Sequence, residues 1–234
     1  MTLRSTVMLA VLLSALLPRL PARSRIWLES EIAATVPGRS AEDIRRAYGC
    51  ATRQSGRVEL KLTDDELQRV HAFDPDLSLV HWSTDDAARA VLLLLVARES
   101  PAQFRDIAVA CYEEGDTRAQ QSWLRALPVL PQPERFLPTA LDACRSPNPQ
   151  LFEAIACDNP YAVRYFPDRN FNQLVMKALA GGIELSRVAR LSTRVNHDLA
   201  RMAGDYAAER KLAGRSAPPD IAIVLTAAKT LTAS

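Results

Sequence analysis

Residues 145–191 read RSPNPQLFEAIACDNPYAVRYFPDRNFNQLVMKALAGGIELSRVARL, and the way this stretch breaks and restarts decides the fold class. Asn-Pro occurs in it at Asn148-Pro149 and again at Asn159-Pro160. A proline disfavours the α conformation at the residue before it and fixes its own φ, so each pair ends one segment and permits a new one. The segment after each pair is helical in pattern. The last helix is the clearest: Phe171, Leu174, Val175, Ala178 and Leu179 fall at i, i+3, i+4, i+7 and i+8, and Gly181-Gly182 supply the left-handed turn that closes such a helix. The other side of that helix carries Asn172, Gln173 and Lys177.

The same punctuation runs through the rest of the chain. Ser40 is a good N-cap for residues 40–54, with Glu42 and Asp43 in the first turn where the helix dipole favours acids. Thr63-Asp64-Asp65-Glu66 has capping-box spacing, which predicts a helix from about Asp64 with Leu67, Val70 and Phe73 on one face and a stop at Asp74-Pro75. Ser83-Thr84-Asp85-Asp86 is another N-terminal signature, and the run 87–97 behind it is apolar except for Arg89. A helix apolar nearly all round is a buried one, so 85–98 is the expected central helix of the N-terminal half. Ser100, Pro101 and Gln103 repeat the start pattern ahead of Phe104, Ile107, Ala108 and Cys111, and Asp116 caps the segment that carries Trp123, Leu124 and Leu127. Pro138 marks either a kink or a helix start. Asn196 begins the segment that ends in Arg210-Lys211 and Gly214, and Pro218-Pro219-Asp220 precedes a last apolar helix.

These signals predict an all-α protein of about ten to twelve helices joined by short Pro- or Gly-marked turns. Their spacing fits stacked antiparallel helix pairs, an α-solenoid-like (HEAT- or armadillo-like) superhelix, although no signature recurs at a fixed period. The 8 glycines and the scarcity of alternating runs exclude an all-β fold, and only residues 58–62 (VELKL) have strand-like alternation. At 234 residues with no obvious linker, residues 1–234 are expected to form one domain.

Apolar residues make up 48% and charged residues 24% of the chain, which is ordinary globular usage and excludes a disordered chain or a membrane bundle. The net charge of +2 hides an asymmetry: residues 1–117 carry 14 basic and 17 acidic groups, residues 118–234 carry 15 and 10. The basic excess of the second half would attract an anion or an acidic partner, but Glu153, Asp158, Asp205 and Glu209 are interleaved with it as on a solvated surface. Nucleic-acid binders usually exceed a pI of about 9. This chain has a pI of 8.4 and no basic stripe, so no nucleic-acid partner is expected. Cys50, Cys111, Cys144 and Cys157 are far apart and read as buried free thiols of a reducing compartment.

The apolar run 7–17 after Arg4 has two readings. It is either a buried first helix within residues 1–22 of a cytoplasmic protein or the apolar region of a signal peptide, which would make the protein an exported one. A bilayer needs about 20 apolar residues, so the run does not span one.

Catalytic motifs are missing. His71, His81 and His197 lack the spacing of zinc ligands, and there is no Gly-x-Ser-x-Gly elbow, no phosphate-binding P-loop and no dinucleotide fingerprint. No metal and no cofactor are expected. The acidic pairs Asp64-Asp65-Glu66 and Asp85-Asp86 stand at helix starts, where free N–H groups explain them. What remains is a polar set in the second half: Arg145, Asn148, Asn159, Tyr165, Asn170, Asn172, Gln173, Lys177 and Arg201. The asparagines suit caps, whereas Gln173 and Lys177 share a face one turn apart. Buried amides must be hydrogen-bonded or they cost about 1–3 kcal/mol each, so the set is either a structural network or a ligand- or partner-binding lining. Gln173 and Lys177 are expected to face the helix 196–213. There Lys177 either meets Asp205 or Glu209, or joins Arg201 and Tyr165 in a basic, aromatic-lined groove.

Three stretches resemble the EboA-domain family of bacterial secondary-metabolite operons: NPYAVRYFPDRNFNQLVMKAL at 159–179, DLARMAGDYAAERKLAGR at 198–215 and FDPDLSLVHWSTDDAARAVLLLL at 73–95. The resemblance implies a non-catalytic accessory protein of a secondary-metabolite biosynthesis or precursor-transport operon, acting as an interaction or metabolite-handling module. Its partners would be other proteins of that operon, a membrane prenyltransferase-like protein among them, and its ligand a small anionic or aromatic metabolite. The alternative is an enzyme with an unfamiliar site around Asn172, Gln173 and Lys177.

Overall fold

The computed structural model describes residues 3–231. Among these there are thirteen α-helices, five short 3-10 turns and no β-strand, so the fold is all-α. The expected strand at 58–62 is a single antiparallel bridge between Glu59 and Ser83, flanked by hydrogen bonds from Leu60 N to Trp82 O and from Thr84 N to Val58 O, both 2.8 Å. The backbone divides into two compact units, residues 1–155 and residues 156–234.

Unit 1 is built on α5 (Thr84–Glu99). Every residue from Thr84 to Ala97 is buried, because α1 (Leu3–Leu16), α2 (Ala22–Ala34), α3 (Ala41–Ser55), α6 (Phe104–Glu113) and α7 (Thr117–Ala126) all pack against it. Five helices of this unit thus meet on α5, and α2 also packs on α3 and α6 on α7. α1 turns Met8, Leu12, Ala15 and Leu16 inward, each fully buried, against α5 and α4 (Asp64–Phe73). The run 7–17 is thus a packed first helix here. Near α7, Trp123 is enclosed edge-on by Phe136, which itself meets Phe104 edge-on, and its Nε1 donates to Ala108 O at 2.7 Å. α8 (Leu137–Arg145) starts rather than kinks at Pro138, and α9 (Pro149–Ala156) comes next.

Most caps are where the residues place them. Ser40, Asp116 and Asn196 each accept from the backbone N–H three residues on, and Thr63 and Glu66 close the capping box of α4. Ser100 is an exception: its N–H ends α5 on Val96 O, and residues 101–103 form a turn, so α6 starts only at Phe104 without a side-chain cap. Cys111, Cys144 and Cys157 are buried free thiols, whereas Cys50 is only half-buried.

Unit 2 contains α10 (Tyr161–Tyr165), α11 (Asp168–Ala180), α12 (His197–Leu212) and α13 (Ile221–Leu231). Phe171, Leu174, Val175, Ala178 and Leu179 are all buried, as their period predicts. α11 ends in a Schellman motif: Ile183 N donates to Ala178 O at 2.9 Å and Gly182 N to Leu179 O at 3.3 Å, with Gly182 at φ +70°. Two 3-10 turns, Leu185–Arg187 and Leu191–Arg194, then carry the chain back along α11 before α12 begins. Their Leu185, Val188 and Leu191 fill the core, and α13 packs on both turns and on α12. No helix among the described residues is long and apolar enough to cross a membrane.

Candidate functional site

Each unit holds a polar constellation of interest, and the two differ in whether their groups are spent. In unit 1, Asp85 and Asp86 lie fully buried at the start of α5, beyond what dipole neutralisation asks of them. Asp85 accepts from Arg89 at 2.9 Å, Thr52 at 2.8 Å, Ser83 at 2.6 Å and Arg118 at 2.7 and 2.8 Å. Asp86 accepts from Ser122 at 2.7 Å and pairs with Arg118 at 2.7 Å and Arg125 at 3.0 Å. Burial alone raises a carboxyl pKa, but the hydrogen bonds from Arg118 and Ser83 outweigh it and hold Asp85 well below the carboxylate range. The fully buried Arg89 spends its other N–H groups on Tyr48 O, Ser122 and Thr52. Burial pushes the Tyr48 hydroxyl, which donates to Ala119 O at 3.0 Å, well above its ordinary value. Among the described residues no buried side-chain polar atom lacks a partner. This cluster is a structural keystone with no group left over for a substrate.

In unit 2 the chain entering α11 has Pro167 at its N-cap, and Asn196 caps α12 by accepting from Leu199 N at 2.9 Å. The Asn172 and Asn196 carboxamides bond to each other in both directions, at 3.0 and 3.1 Å. Seven residues further along α11, Leu179 O accepts from the Tyr206 hydroxyl of α12 at 3.4 Å. The two helices therefore run in the same sense, with their N-terminal ends side by side. Between those ends is an open cleft of about 610 Å³. Its α11 wall is Asp168, Arg169, Asn172 and Gln173; its α12 wall is Asn196, His197, Asp198, Arg201 and Met202. Arg194 braces the base: it donates to Phe166 O and Asp168 at 2.8 Å each and to Val163 O, with its guanidinium 4.8 Å from the Phe171 ring centre. Arg201 is held only loosely, 3.4 Å from Asp205 and 3.7 Å from Asp198. The side chains of Arg169, Gln173 and His197 have no partner among the described residues.

The structure divides the polar set picked out from the sequence. Asn172, Gln173 and Arg201 come together in the cleft. Lys177 is half-buried one turn below and outside the lining, and Asp205 pairs with Arg201 of its own helix. Tyr165 packs on Tyr161 with ring centres 4.8 Å apart and planes tilted by 40°, and neither lines the cleft, so the cleft has no tyrosine wall. Asn159 is buried and its Oδ1 accepts from Tyr161 N at 2.9 Å, a local turn. Asn170, at the third position of α11, caps nothing. Asn148, whose Oδ1 accepts from Gln150 N at 2.9 Å, and Arg145, exposed and 3.0 Å from Asp142, belong to unit 1. Sequence reasoning missed Asp168, Arg169, Asn196, His197, Asp198 and Met202 as lining groups. The available signal was the place of all but Met202 in the first turns of two helices; that those turns lie abreast depends on the folded return through 181–195.

Fold and cleft together define a wholly helical protein that presents a polar cleft at the paired N-termini of α11 and α12. The chain belongs to the EboA family: the family described as metabolite traffic protein EboA matches it over residues 8–226, a span that includes all three stretches on which the resemblance rested. No curated protein and no solved structure matches it significantly.

Proposed function

We propose that this EboA-family protein is a non-catalytic accessory component of metabolite traffic, an interaction or metabolite-handling module that makes its contact through the cleft between α11 and α12. One observation carries this reading: Arg169, Gln173 and His197 stand in a cleft of about 610 Å³ with their hydrogen-bonding capacity unspent among the described residues. The volume lies within the range of about 300–1,000 Å³ that small-molecule sites occupy. An enzyme built on Asn172, Gln173 and Lys177 has less support, because the Asn172 amide is committed to Asn196 and Lys177 is outside the lining. The test is native co-purification followed by mass spectrometry of both proteins and small molecules, with the wild type and an R169A/H197A variant. Proteins encoded in the same operon, or a metabolite, recovered with the wild type and lost with the variant support the cleft as the contact; equal recovery with both overturns it.

The family match runs through both compact units, which supports treating residues 1–234 as one EboA-like domain. A single calorimetric transition is expected, and two would separate the units. The packing of α1 on α5 favours a cytoplasmic protein that keeps residues 1–22, since their loss would uncover the apolar face of α5. Intact-mass measurement from the native host checks this: a mass short by these residues would show export.

A further inference from the structure

We propose that the ligand of the α11–α12 cleft is a small-molecule anion bearing carboxylate or phosphate oxygens; this rests on the cleft being the contact site. The groups left free there are Arg169, Gln173 and His197, and together they offer guanidinium, amide and imidazole N–H donors. The two acids of the lining do not cancel them. Asp168 already accepts from Arg194 at 2.8 Å, and Asp198 is 79% exposed at the outer edge, 3.7 Å from Arg201. Among the described residues Arg169 pairs with no acid, which leaves its charge to solvent or a ligand. The amides that would otherwise compete for acceptors, Asn172 and Asn196, are closed on each other.

The helix ends reinforce the same sign. α11 and α12 bring their positive ends to the same side of the cleft, which adds to the field of Arg169 over the opening. No aromatic ring of Phe, Tyr or Trp lines the cleft, and Met202 is its only apolar side chain. An oxyanion spanning the two walls finds donors on both. Charge-assisted bonds of this kind are strong and directional, and a planar guanidinium matches carboxylate or phosphate in two-pronged fashion. Because the cleft is open, binding should be weak, with fast exchange.

The test is titration of the isotope-labelled full chain, followed by backbone amide NMR, with succinate, inorganic phosphate and succinamide, the uncharged counterpart of succinate. Shifts confined to residues 168–173 and 196–202 with either anion, absent with succinamide and weakened about tenfold in R169Q, support the proposal. A larger response to succinate than to phosphate assigns a carboxylate metabolite, and the reverse a phosphorylated one. Equal shifts with succinamide, shifts spread over the surface, or an R169Q response equal to wild type overturn it. R169Q alters an exposed side chain, and R57Q, an exposed arginine of unit 1, serves as the control that must leave the response intact. No anion response alongside co-purification that depends on Arg169 and His197 would sink the ligand class alone; failure of both experiments would sink the site itself.

Discussion

Asn172 and Asn196, 24 residues apart, hold each other by paired amide bonds, and that exchange fixes where α12 starts relative to α11. Asn196 does two things with one oxygen, accepting from Asn172 and capping Leu199 N. N172A should cost about 1–2 kcal/mol, and N196A about 1 kcal/mol more because the cap goes as well. Each single change strands the partner amide, so the double variant should lose less than the sum, with a coupling of about 1 kcal/mol. Urea unfolding of the four proteins measures it. Strictly additive losses would show that the pair contributes nothing beyond the cap.

The buried carboxylates of unit 1 should respond far more strongly. Removing one side of a buried, fully bonded charge network leaves the rest uncompensated, at about 3–5 kcal/mol. Arg118 bridges Asp85 and Asp86 with its side chain only 12% exposed, so R118A should fall in that range. R201A removes ion pairs whose arginine is 65% exposed and should cost less than about 1 kcal/mol. Comparable losses in the two variants would contradict the assignment of the unit 1 network as a keystone.

Gly182 makes a narrower claim. At φ +70° it occupies the left-handed region, and nothing lies within 4 Å of where a Cβ would stand, so strain and not collision decides the outcome. G182A should destabilise by about 1 kcal/mol, and G182N by less, since asparagine tolerates this conformation better. Thermal melts of the two variants order them. A G182A protein as stable as the wild type would mean that the Schellman turn does not constrain the end of α11.

These residues also show what was legible in advance. Thr63, Ser40, Asp116 and Asn196 announce helix starts because a cap and the N–H it accepts are three residues apart, within reach of a local pattern. The burial of 87–97 follows from its apolar composition, Arg89 apart. Ser100 misled because it ends α5, its N–H bonded to Val96 O, and a turn at 101–103 separates it from the start of α6 at Phe104. Asp85 and Asp86 looked like dipole-neutralising acids because the guanidiniums that hold them come from Arg118 and Arg125, 33 and 39 residues later. The cleft was half visible. Asn172, Gln173 and Arg201 could be picked out as polar residues on helix faces, but the pairing of two N-terminal ends depends on two 3-10 turns that carry no periodic signal.

Glu66 gives the pH dependence a definite sign. Its carboxylate is paired to Arg19 at 2.6 Å and accepts from Thr63 N at 2.8 Å, closing the capping box of α4. The hydrogen bond from Arg19 is the chief cause that lowers its pKa from the ordinary 4.5 to about 2. A carboxyl whose folded pKa is depressed contributes its stability in full above the unfolded value and loses it as pH falls through the folded one. The contribution is therefore whole at pH 7, declines from about pH 4.5 and is gone below about pH 2. E66Q isolates it, since glutamine at the same position keeps the capping box while removing the charge that Arg19 answers. The wild type should melt higher than E66Q at pH 7, and the gap should close between pH 4.5 and pH 2. A gap that stays constant across that window, measured by circular dichroism melts at fixed ionic strength, would show that Arg19 does not stabilise the ionised form.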